Sequence, residues 1–204
     1  MKPTVIDWTL PAIHHGVRGY IDRLLGPGAT AAEYAIQVVL PGAITLAAYV
    51  HAQDAFPTWP WWKLLIYCVL VFDIVGGIVT NATSSAKRWF HRATQTRRDH
   101  LGFVALHVLQ ITIVAVLFRD FDWSYAVILS AYLIGAAGLI LLLPLYLHRP
   151  IALFLVAMGM LLEIYGWGPS AEVPWFTAFL LIKILAAHLL REEPYRPTDQ
   201  SVMS

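Results

Sequence analysis

The sequence predicts an all-α integral membrane protein: a bundle of six transmembrane helices preceded by an amphipathic interfacial helix. Three observations carry this expectation. The 204 residues are 58% hydrophobic and only 13% charged, and the mean hydropathy is +0.63, far from the balance of a soluble domain. Six apolar runs, at about 33–52, 61–82, 100–118, 124–147, 150–166 and 173–190, approach the ~17–20 residues a spanning helix needs. Six crossings also sort the basic residues. Lys2, Arg18, Arg23, Lys87, Arg88, Arg92, Arg97, Arg98, Arg149, Arg191 and Arg196 share one side, and Arg119 and the helix-end Lys63 lie on the other. The positive-inside rule then places both termini in the cytoplasm.

Residues 1–32 read as a cytoplasmic segment. Ile13, Val17, Tyr20, Ile21 and Leu24 recur at helical spacing opposite His14, His15, Arg18, Asp22 and Arg23, the pattern of a helix lying on a membrane surface. Those polar residues also interrupt any signal-peptide core, so no cleaved leader is expected. Gly26-Pro27-Gly28 ends the helix. The first span carries Glu33 and Gln37, and Pro41-Gly42 at its middle frees a backbone carbonyl and predicts a kink. Pro144 predicts the same near the inner end of the fourth span. That span also presents Ala131, Gly135 and Gly138 on one face, a small-residue surface for close packing. Glu163, near Trp167, is expected to reach the outer interface. Trp59, Trp61, Trp62, Trp123, Trp167 and Trp175 all map to that outer boundary. Outer connections are short, so neighbouring helices run antiparallel. Residues 33–191 thus form the membrane domain, and 192–204 read as a disordered cytoplasmic tail.

The most informative stretch is Asp73 to Ser84. Asp73, Gly76, Gly77, Thr80, Asn81 and Ser84 fall at i, i+3, i+4, i+7, i+8 and i+11, one continuous helical stripe of polar or side-chain-free positions. An ionisable residue at that depth requires a partner or a function. At ~1.5 Å per residue, Asp73 and Gln110 lie ~15 Å and Lys183 and His107 ~11 Å from the cytoplasmic boundary. The expected intramembrane site is therefore Asp73, Asn81, Thr80, His107, Gln110, Lys183 and Gln37, with Gly76 and Gly77 closing the packing around it. Lys183 either pairs with Asp73 or snorkels to the interface.

The loop after the stripe carries Lys87, Arg88, Trp89, Arg92, Arg97 and Arg98. Its default role is topology and contact with anionic lipid headgroups. A basic lid that recognises phosphate or carboxylate is the alternative.

The pattern Asp73-x-x-Gly76-Gly77-x-x-x-Asn81-x-Thr83, with its basic loop, resembles uncharacterised bacterial multi-pass membrane proteins, which implies a bacterial cytoplasmic (inner) membrane location. The chain is also similar, in residue types, to the ceramidase and progestin-receptor-like intramembrane hydrolases, which hold zinc with Asp, Ser and His near the cytoplasmic face. The last span lacks that family's His-x-x-x-His pair and carries only His188. From the residues alone, Asp73 with His107 and His188 could form a His, His, carboxylate metal site, which the spacing does not demand. No cofactor is demanded by the residues themselves. His100 and His107 are seven apart, too far along the axis to share one metal.

Four functions follow. The first is binding or transport of a small molecule, ion or proton at Asp73. The second is an intramembrane hydrolase or transferase acting on a lipid-like substrate. The others are bis-histidine haem binding and a non-catalytic accessory subunit. The expected partners are the bilayer and its anionic headgroups, with a homo-oligomer or larger membrane complex left open. A net charge of +1 offers nothing to nucleic acid. The single cysteine, Cys68, lies inside the second span and excludes intramolecular disulfide and CxxC chemistry.

Overall fold

A computed structural model describes residues 4–197. Five helices are long and apolar enough to cross a membrane, the composition of a multi-pass membrane protein. They are α2 (Ala31–Ala55), α3 (Trp61–Ala82), the pair α5 (Arg97–Leu106) and α6 (Val108–Leu117), α7 (Trp123–Leu142), and α8 (Leu145–Leu162) with a π-helical end at Glu163–Trp167. A shorter sixth helix, α9 (Phe176–Leu181), continues as a π-helical segment, Ile182–His188. Two short helices, α1 (Gly16–Leu25) and α4 (Ser84–Phe90), sit at one end. There β1 (Thr4–Ile6) pairs antiparallel with β2 (Tyr195–Pro197), so both ends of the described chain share one side of the bundle. An Arg196–Asp7 ion pair at 2.9 Å adds to this clasp.

Local chemistry sets the helix ends. Thr30 and Glu33 form a reciprocal capping box at the start of α2. The second carboxylate oxygen of Glu33 accepts the Ser85 N–H at 3.0 Å, which ties α4 to α2. Thr83 closes α3 and caps α4 through its hydroxyl, so the chain turns there without a loop. Gly26 is held at φ 94°, and a Cβ on it would lie 2.4 Å from the Ser85 carbonyl carbon, so only glycine lets α1 rest on that turn. Helix α2 runs unbroken through the buried Pro41.

The sixth helix is the core. Thr177, Leu180, Leu181, Ile184 and Leu185 have no exposed surface, and the long helices enclose them. At the end opposite the chain termini, Trp59 stacks on Phe56 and meets Tyr67 and Phe118 edge-on. Lys63 pairs with Glu172 at 2.7 Å beside them.

Several expectations need correction. The fourth span ends at Leu142, with Leu143 extended and Pro144 opening α8. The residue before a proline avoids the helical region, so Pro144 marks a boundary rather than a kink. A Cβ on Gly135 or Gly138 would meet nothing within 4 Å, so neither makes a close contact. The tight approach is at Gly159, where a Cβ would lie 2.4 Å from Leu181. Glu163 is buried, accepting the Thr177 hydroxyl at 2.6 Å, and Thr177 in turn meets Tyr125 at 3.0 Å. Tyr195–Pro197 is a strand rather than disordered tail, and the rest of that tail, 198–204, lies outside the described residues. Helix α1 turns Asp22 inward, bonded to His14, and leaves Val17, Tyr20, Ile21 and Leu24 exposed.

Candidate functional site

The stripe on α3 faces the last helix, and a change of helical pitch on that helix makes the match. Lys183 and His188 are five residues apart. In an α-helix they would point about 140° from each other. In the π-helical segment, bonded i to i+5, they stack on one side. Lys183 therefore meets Asp73 while His188 meets Asn81, two turns further along α3.

Around Asp73 the geometry is tight. Lys183 Nζ donates to Asp73 Oδ2 at 2.6 Å, and Gln110 Nε2 donates to the same oxygen at 2.5 Å. The lysine side chain is 4% exposed and the aspartate 46%, so the pair spans the bundle core and the wall of a cavity. Gly77 makes the lysine's path: a Cβ there would lie 2.2 Å from Lys183 Cε and 2.8 Å from Cδ. Gly76 sits in ordinary contact with Pro41, 3.6 Å from its ring.

Nearer the chain termini a second polar group forms. Asn81 Nδ2 donates to the Gly77 carbonyl at 2.7 Å, which turns its Oδ1 toward His188 Nδ1 at 3.1 Å. His188 thus carries its proton on Nδ1, and its Nε2 accepts from His100 Nδ1 at 3.3 Å. Phe103 stacks on His188, ring centres 4.1 Å apart. His91 donates to the His188 carbonyl at 2.9 Å. Burial holds the His91 pKa down to about 3, so this imidazole is neutral.

A cavity of about 540 Å³ opens onto this face. Gln37, Asp73, Thr80, His107, Gln110 and Lys183 supply its polar wall. Phe90 and Phe103 line it too, and Leu24, Val38, Phe72 and Leu106 are exposed apolar residues at its rim. The mouth therefore opens through the belt of exposed apolar side chains. Gln37 is 2% exposed, and neither its Nε2 nor its Oε1 has a partner among the described residues. Gln110 Oε1 is also unpartnered. His107, at the break between α5 and α6, donates Nδ1–H to the Phe103 carbonyl at 2.9 Å, leaving Nε2 as the acceptor.

The structure thus brings together Asp73, Gln110 and Lys183, joins Asn81 to His188, and sets Gln37, Thr80 and His107 in the same cavity wall. It does not gather metal ligands: among the described residues no three His, Cys, Asp or Glu are arranged to hold a metal ion, and His107, Asp73 and His188 form no such set.

The basic loop divides. Arg97 and Arg98 are exposed, and Arg92 stacks over Trp89 at 3.8 Å. Lys87 and Arg88 are buried and do not reach headgroups. Lys87 Nζ donates to the Ala187 and Leu190 carbonyls, both at 2.6 Å, capping the last helix. Burial pushes its pKa down to about 8. Their position one helical turn after Ser84, directly behind the Thr83 cap, is the signal the sequence offers for inward orientation. The aromatic walls Phe72, Phe90 and Phe103 carried no such signal, because phenylalanine in an apolar run reads equally as lipid-facing.

No protein-family model, no curated protein and no solved structure matches the chain.

Proposed function

We propose that the protein binds a small amphiphilic molecule taken up from the lipid phase, with the polar head at Asp73–Lys183 and the apolar part against Phe72, Phe90 and Phe103. Gln37 carries the reading. A buried primary amide without partners costs about 1–3 kcal/mol, and this one lines a cavity large enough for a ligand that supplies the missing bonds. Asp73 and Lys183 neutralise each other, so the matching head is uncharged and offers both donors and acceptors. A cation or proton carrier would need Asp73 free of its lysine. Six crossings, with both termini in the cytoplasm of a bacterial inner membrane, complete this proposal and rest on the basic-residue asymmetry.

A catalytic role on a lipid-like substrate is the second reading. It is favoured by His107, whose Nδ1–H is tied to a carbonyl, leaving Nε2 in the form a general base takes.

Native mass spectrometry in mild detergent tests both. Wild type should retain 1-monoolein or oleyl alcohol and not dodecylamine, and Gln37→Leu and Leu106→Trp should lose the adduct. Absence of any adduct on wild type, or undiminished adducts on both variants, would refute the binding reading. Conversion of the bound lipid by wild type but not by His107→Ala would establish turnover.

A further inference from the structure

A second cavity, of about 810 Å³, lies at the end of the bundle that carries β1 and β2, separate from the Asp73 cavity. Arg92, Arg97 and Arg191 line it, from three different segments: the loop after α4, the first turn of α5, and the stretch after the last helix. Two of these guanidinium groups are held in place by aromatic rings. Arg92 lies 3.8 Å over Trp89 and donates to its carbonyl at 2.6 Å. Arg191 lies 4.6 Å over Trp8, which the N-terminal segment lays across the cavity.

No Asp or Glu is among the lining residues. The nearby carboxylates are engaged elsewhere: Asp99 caps α5 through Thr96, and Glu192 pairs with Arg149 at 2.9 Å. The other side of the cavity is apolar, formed by Leu141, Leu143 and Leu145 at the α7–α8 turn, where the apolar belt ends.

We propose that this cavity is a binding site for a phosphate group, the three arginines taking its oxygens and the leucine turn taking an apolar body when the phosphate is carried on a lipid. Planar guanidinium forks match phosphate geometry, and pre-positioning by stacking removes part of the entropy cost of binding. A loop that served only topology would not need basic residues from three segments to converge on one concavity.

The test compares dioleoylphosphatidylglycerol, diolein and inorganic phosphate on the full chain in detergent, read by native mass spectrometry and by competition. Arg97→Gln combined with Arg191→Gln should lower retention of the phospholipid by about a hundredfold, since two charge-assisted contacts are lost and each is worth about tenfold. Arg98→Gln removes one positive charge outside the cavity, next to Arg97, and should change nothing. Diolein, with no phosphate, should not compete. If inorganic phosphate displaces the phospholipid and Leu143→Gln is without effect, the phosphate site stands and the ligand is free phosphate. Displacement of the phospholipid by diolein, or equal losses in Arg98→Gln and in the paired variant, would overturn the proposal. An unchanged unfolding temperature in detergent checks that the paired variant is folded.

Discussion

Gly77→Ala is the sharpest perturbation the structure offers. One methyl group is added, and it would stand 2.2, 2.8 and 3.1 Å from Lys183 Cε, Cδ and Cγ. In a free lysine such a clash would be relieved by rotation. Here the stem is buried and its ammonium is fixed at 2.6 Å from Asp73, so relief requires the ion pair to lengthen or break. Overpacking alone costs about 1–3 kcal/mol. Disruption of the pair adds to this, discounted because Asp73 keeps half its exposure. Helix propensity works the other way, by about 1 kcal/mol in favour of alanine. The net expectation is a loss of about 1–3 kcal/mol. Gly135→Ala, also inside a helix but with nothing within 4 Å of its Cβ, should be neutral or stabilising. Thermal unfolding in detergent, followed by near-ultraviolet circular dichroism, reads both. A double-mutant cycle then isolates the cause: with Lys183→Ala and Asp73→Asn already present, Gly77→Ala should cost nothing further. Equal stability of Gly77→Ala and wild type, or an unchanged cost in the Lys183→Ala background, would refute the idea that Gly77 exists to pass the lysine stem.

Asp73→Asn strands a buried ammonium and should lower stability by about 3 kcal/mol, while adding Lys183→Met should recover part of that loss in the same assay. In a Cys68→Ser background, cysteines placed at the exposed Thr94 and Thr58 should label from opposite membrane faces; labelling of both from one face would end the six-crossing scheme. His91 should make the fold acid-sensitive. Its folded pKa, about 3, lies below the ordinary 6.5, so the unfolded chain binds the extra proton in that window. Its contribution is complete above pH 6.5 and is lost as pH falls toward 3, and His91→Gln should flatten the dependence of the unfolding temperature on pH between 7 and 5. Thr177→Val leaves the buried Glu163 without its donor and should cost about 1–3 kcal/mol.

The long spans are legible because some twenty apolar residues leave few alternatives, and the stripe is legible from Asp73 to Asn81 because it keeps the α-helical period there. Ser84, read as its last member, lies beyond the extended Thr83 in α4. What faces the stripe is not. Lys183 and His188 fall on different faces of an α-helix, and only a local widening to π geometry aligns them with Asp73 and Asn81. No residue in Ile182–His188 announces that widening. The α7–α8 turn is hidden because Leu139–Leu143 and Leu145 form one unbroken apolar run, interrupted only by Pro144. Lys87 and Arg88 mislead for another reason. The positive-inside rule counts charges on a side of the membrane, and it does not distinguish an exposed lysine from one that caps a neighbouring helix. Gly135 and Gly138 satisfy a close-packing motif that the fold does not use, whereas Gly159, in no motif, makes the tight contact.

The pairing of Thr4 with Pro197 has a consequence for biosynthesis. At ~5–20 residues per second, β2 leaves the ribosome roughly 10–40 s after β1. The last helix is also the central one, so for most of that interval the nascent bundle lacks its core. Asp73 is then a carboxylate in the membrane with Gln110 beside it and no lysine. The terminal strand is open and α1 is unclasped. Translocation machinery and membrane proteases meet the chain in this form. Lys183→Met shares this five-helix stage with wild type and departs from it only when the last helix arrives without a partner for Asp73. The open state then outlasts synthesis, and its abundance in cells should fall further than its measured unfolding free energy accounts for.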